Sequence, residues 1–93
     1  MQLDEFQSLM ARTYGERDRA RGIDATVAWL AEELGELARA VRKGPRAEQL
    51  HEVGDVLAWL ASLTDQIGLT LDEAAQRYAA GCPRCGAIPC SCA

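Results

Sequence analysis

Val27, Leu30, Leu34, Leu37 and Val41 return at alternating three- and four-residue steps. Leu50, Val53, Val56, Leu57, Leu60, Leu63 and Ile67 continue the rhythm beyond Gly44-Pro45. At 3.6 residues per turn such spacing draws one apolar stripe along each of two helices, and no strand has this period. Gly44-Pro45 ends the first of these helices and opens the next, since proline is tolerated in a first helical turn. Upstream, Leu3, Phe6, Leu9, Met10 and Thr13 predict a helix over about residues 3–20 that closes near Arg21-Gly22. Asp24 or Thr26 is the expected cap of the helix that follows. Downstream, Gly68 is the expected stop, and Thr70-Leu71-Asp72-Glu73 matches a capping box. A short fourth helix is expected to reach Ala80, with Gly81 ending it. The expected fold is therefore all-α: an antiparallel four-helix bundle over residues 1–81, followed by a cysteine-rich tail over 82–93.

A chain of 93 residues buries only about 60–65% of its unfolded surface. Its composition, 48% hydrophobic and 26% charged, is nonetheless that of a folded protein. Together these point to an oligomer interface, a bound metal, or both as the supplement to a small core. The formal net charge of −4 disfavours a nucleic-acid polymer or an anionic membrane as partner, although Arg12, Arg17, Arg19 and Arg21 form a local basic cluster. No apolar run approaches a membrane span and no signal-peptide pattern opens the chain, so the expected location is cytoplasmic.

Acidic residues accompany both stripes. Glu33 and Glu36 on the second helix, and Glu52 and Asp55 on the third, are i, i+3 pairs beside the apolar stripe of each helix. If the stripes pack antiparallel, the two acidic edges face one groove, where four carboxylates repel one another unless a cation compensates. Magnesium, a hard cation that takes oxygen ligands and bridges carboxylates to phosphates, suits such a groove. No nearby His or Cys argues for zinc there. One ExxE pair alone is ordinary solvated helix surface; two pairs beside two stripes are much less so. Glu32 points further toward solvent than Glu33 and is expected outside the ligand set.

Glu32-Glu33-Leu34-Gly35-Glu36 reads EExxE and Glu52-Val53-Gly54-Asp55 reads ExxD, with fifteen residues between them. This pair resembles the signature of the MazG-like nucleotide pyrophosphohydrolases of the all-α NTP pyrophosphatase superfamily. The flanking Trp29–Leu37 and Asp55–Leu60 segments look similar, as does Leu71-Asp72-Glu73-Ala74, so the resemblance covers roughly residues 3–80. It implies magnesium-dependent hydrolysis of a nucleoside triphosphate to monophosphate and pyrophosphate, with Glu33, Glu36, Glu52 and Asp55 as metal ligands. It also implies a homodimer or homotetramer. Glu33 or Glu36 is the expected acceptor of the attacking water's proton.

Trp29 and Trp59 each lie four residues from an acidic pair, near enough to stack on a base, though both also suit a core or an interface. Arg17 and Arg21 can clamp phosphate oxygens or simply complement a helix C-terminus. Arg77 is a further phosphate candidate, and His51 falls on the solvent side of its helix.

The tail holds every cysteine. Cys82-Pro83-Arg84-Cys85-Gly86 has the form of a zinc knuckle, and Cys90-Ser91-Cys92 supplies two more thiols for a closed four-cysteine structural zinc site. Disulfides or unordered thiols are the alternative.

Three alternatives stand beside the hydrolase. A phosphoribosyl-ATP pyrophosphatase belongs to the same superfamily and uses the same metal logic. A non-catalytic helical adaptor carrying a zinc tail belongs to another class, and it has no reason to place acids on two facing helix edges. A degenerate relative that binds nucleotide without turnover is a third.

Overall fold

The computed structural model describes residues 1–93. It contains four helices and no strand: α1 (Leu3–Arg21), α2 (Ile23–Lys43), α3 (Arg46–Gln66) and α4 (Leu71–Gln76). No helix is long and apolar enough to cross a membrane.

One residue, Gly22, both ends α1 and begins α2. Its φ of +90° lies where side chains are strained. Its amide donates to the Asp18 carbonyl at 2.9 Å, and its own carbonyl accepts the Thr26 amide at 3.1 Å and hydroxyl at 2.9 Å. The expected Asp24 or Thr26 cap is therefore corrected. α2 starts before either residue, and Thr26 is fully buried within its first turn.

Contacts between α2 and α3 run in opposite senses, which makes the pair an antiparallel hairpin. Gln66 Nε2 donates to Thr26 Oγ1 at 2.9 Å, Trp59 stacks on Trp29 at 5.9 Å, and Gln49 Nε2 reaches the Ala40 carbonyl at 3.4 Å. α1 packs mainly on α3, and α4 rests on α1. Gln7 ties α1 to the α3–α4 link: Nε2 donates to the Leu69 carbonyl at 2.9 Å, and Oε1 accepts the Leu71 amide at 2.7 Å.

The buried seam is only in part the apolar stripe expected from the sequence: Leu30, Leu37, Val56 and Leu63 face inward as expected, and the rest of the stripe does not. On α2 the inward positions are Thr26, Leu30, Glu33, Leu37 and Ala40; on α3 they are Gln49, Glu52, Val56, Trp59, Leu63 and Gln66. Both seams keep the three–four rhythm of helix packing. Of the expected stripes, Val27, Leu34, Val41, Leu50, Val53, Leu57, Leu60 and Ile67 are exposed, Leu50 at 75%. Fully buried positions are small or polar instead, including Gln7, Asp18, Thr26, Ser62 and Thr64 beside Ala40, Ala61 and Leu71. Each helix thus carries two arcs of the same period, and the more polar arc packs within the chain.

α4 begins as expected, with Thr70 Oγ1 accepting the Glu73 amide at 3.0 Å. It stops at Gln76 rather than Ala80. Residues 72–80 are all exposed, and a segment this short without packing gives way to i→i+3 turns such as Tyr78 to Ala75 and Gly81 to Tyr78.

Candidate active site

Because the polar arcs face inward, Glu33 and Glu52 occupy seam positions that an ordinary helical hairpin fills with leucine. Both are half-buried, as is Asp55; Glu36 is exposed. Burial, followed by the charges of Asp55, Glu52 and Glu36, pushes the Glu33 carboxyl above its ordinary value. That electrostatic coupling links Glu33 to each of the other three acids. Glu52 Oε2 is buried with no hydrogen-bond partner. A buried, unpartnered carboxylate oxygen is costly, and it is the kind of atom that a cation satisfies. Oxygen donors of like charge fit magnesium.

His51 is exposed, as its solvent-side position predicts, but the expectation of no nearby histidine at the acidic site is corrected. Its Nε2 stands 3.2 Å from Asp55 Oδ2, one helical turn away. His51, Glu52 and Asp55 present ligand atoms within 4.8 Å of one another, so an imidazole does border the acidic site. Glu36, His51 and Glu52 also line a cavity of about 500 Å³ with Arg39, Lys43 and Glu48.

A second cavity, of about 270 Å³, opens on the other side of Asp55, between α1 and α3. Arg17, Arg21 and Trp59 line it, so three of the expected nucleotide residues meet one of the acids. Sequence reasoning assigned no role to three other lining residues, Tyr14, Asp18 and Ser62. Asp18 is almost fully buried and accepts Arg21 Nη1 at 2.8 Å, fixing the guanidinium 4.7 Å from the Trp59 ring centroid. The signal for Asp18 was its place one turn before Arg21, on a helix face shared with Gly15. Trp29 stacks on Trp59 with 13° between the ring planes, so the two indoles form one aromatic surface. Arg77 is not part of this cavity's lining; its guanidinium stands 5.7 Å from the Tyr78 ring centroid.

At the other end of the chain the four cysteines are free thiols gathered into one cluster, their sulfurs within 4.8 Å of one another. The Ser91 hydroxyl and amide hold the Cys85 thiol down to about 5, while the neighbouring Cys90, Cys82 and Cys85 sulfurs push Cys92 up to about 11. Such opposed shifts arise when thiols share one site, since the first anion opposes the next.

Comparison with known proteins agrees with this geometry. The model of the MazG nucleotide pyrophosphohydrolase domain matches residues 21–83, which include all four acids and the whole hairpin. The uncharacterised protein YvdC of Bacillus subtilis (strain 168) is 36% identical over 90 aligned positions, covering 78% of this chain and 85% of that one. With α2, α3 and their paired acids all inside the matched segment, the chain belongs to the MazG nucleotide pyrophosphohydrolase family.

Proposed function

We propose that this protein is a magnesium-dependent nucleotide pyrophosphohydrolase that splits a nucleoside triphosphate into monophosphate and pyrophosphate. The observation that carries the proposal is the acidic seam: Glu33 is pushed up by burial and then by three neighbouring acids, and Glu52 Oε2 is buried without a partner. Glu33, Glu36, Glu52 and Asp55 would hold the metal. Bound there, magnesium supplies Lewis acidity toward phosphoryl oxygens and water. Arg17 and Arg21 meet the phosphates from the α1 side, and Asp18 keeps Arg21 from swinging into solvent. The Trp29–Trp59 surface gives the base a stacking platform that tolerates any base. Glu33 or Glu36 would accept the attacking water's proton.

The active form is a homodimer or homotetramer. Support comes from the exposed apolar arcs of α2 and α3, which no element of the chain covers.

The test is pyrophosphate release with and without magnesium for the wild type, Glu36→Gln and Asp55→Asn. Each variant should lose activity by on the order of 10²-fold or more. Undiminished release in either sinks the ligand assignment. A screen across canonical and modified nucleotides then identifies the substrate, and no turnover of any would favour a nucleotide-binding module instead.

A further inference from the structure

We propose that Cys82, Cys85, Cys90 and Cys92 form a closed, structural zinc site, separate from the acidic seam, and that zinc is what orders the tail. The geometry leads to this directly. Cys82 Sγ lies 3.7 Å from Cys92 Sγ and 3.6 Å from Cys90 Sγ, and Cys85 Sγ lies 4.0 Å from Cys90 Sγ. A tetrahedron of thiolates about 2.3 Å from a central zinc has edges of about 3.8 Å. A disulfide needs about 2.05 Å, roughly half of these separations. Two sulfurs side by side are common, but four within 4.8 Å of one another leave room at their centre for one soft cation.

The backbone is shaped for the same purpose. The Gly86 amide donates to the Cys82 carbonyl at 2.7 Å, closing the knuckle, and Gly86 takes a φ of +71° that few other residues accept. The Cys82 amide reaches forward to the Ala87 carbonyl at 3.2 Å, pinning the second half of the tail to the first. The Ser91 amide points at Cys85 Sγ at 3.3 Å and the Cys92 amide at Cys90 Sγ at 3.4 Å. Amides aimed at sulfur stabilise thiolate, the form that ligates metal.

Nothing else in the tail explains its order. No residue from Cys82 to Ala93 is fully buried, and Ile88, its one large aliphatic side chain, is 82% exposed. Segments without a core fold when metal binding supplies the free energy. All four ligand positions are filled by protein, so the site is structural and has no position for substrate. The family match ends at residue 83, leaving three of the four thiols outside it.

The experiment is elemental analysis of the full-length protein, purified without chelator, beside Cys82→Ser and Cys92→Ser. The wild type should carry about one zinc per chain and each variant much less. Cobalt added to metal-free protein should give the intense thiolate charge-transfer absorption of a tetrahedral four-sulfur site, and zinc should abolish it. The helical circular dichroism of both variants should match the wild type, because the helices lie outside the tail. Zinc content unchanged in both variants overturns the proposal. So does iron in place of zinc, or a wild-type mass lowered by the hydrogens lost to two disulfides.

Discussion

Glu33 carries a sharp prediction at the scale of one residue. Its carboxyl is raised by burial first and then by Asp55, Glu52 and Glu36. A raised acid favours folding below its unfolded value, and the contribution is lost as pH climbs through the folded value. Metal-free protein should therefore lose thermal stability as pH rises from Glu33's ordinary value of 4.5 through its raised one. Magnesium should restore stability most at the upper end of that window, where Glu33 is charged. Thermal melts in chelator and in magnesium across a pH series check this. Glu33→Gln should raise Tm in chelator at neutral pH and blunt the magnesium response; a lower Tm in chelator would contradict the repulsion. The acids were legible in the sequence because two i, i+3 pairs repeat beside two periodic stripes. His51 was not. A helical wheel gives a side chain's angle, whereas the imidazole reaches along the axis to Asp55 one turn away, 3.2 Å off. Arg21 was legible as a cation, but its fixed position was not, because that depends on buried Asp18 in the same turn.

At the scale of elements, the helices and their order were readable, and their inward faces were not. Periodicity finds an arc and does not say what covers it. Two arcs of equal period lie on α2 and on α3, and the sequence offers no reason to seat Gln49, Glu52 and Gln66 inward while Leu50, Val53 and Leu57 face out. The physical reason lies in polar pairing across the junction of α1, α2 and α3. Thr26, with no exposed surface, donates to the Gly22 carbonyl and accepts Gln66 Nε2 at 2.9 Å and Arg21 Nη1 at 3.4 Å. Thr26→Val keeps the shape and removes the acceptor, leaving the Gln66 amide without its partner. The expected loss is about 1–3 kcal/mol in urea unfolding. Gln66→Leu combined with Thr26→Val should recover part of it, because removing both partners strands neither. A single variant as stable as the wild type would mean that this junction does not hold the helices in register.

At the scale of the whole molecule, the chain is more open than a compact monomer of its size. Its accessible surface of 6803 Å² exceeds the about 5,300 Å² of a compact monomer of this mass. Its radius of gyration, 15.3 Å, likewise exceeds the expected value of about 12 Å. The excess, roughly 1,500 Å², is more than the about 800 Å² that each partner buries in a standard interface. The uncovered surface also has the right chemistry. Leu50, Val53, Leu57 and Leu60 form one continuous apolar stripe down α3, and all four are exposed. On the proposed homo-oligomer, a second copy would cover that stripe. Light scattering should therefore find two or four chains per particle. Leu57→Glu places a charge in the middle of the stripe, at a side chain that is 38% exposed. It should shift the particle toward single chains at micromolar concentration, with helical content largely kept and Tm lowered and made steeply dependent on protein concentration. A wild type that sediments as one chain, or a Leu57→Glu variant of unchanged size, would show that this stripe is not the subunit contact.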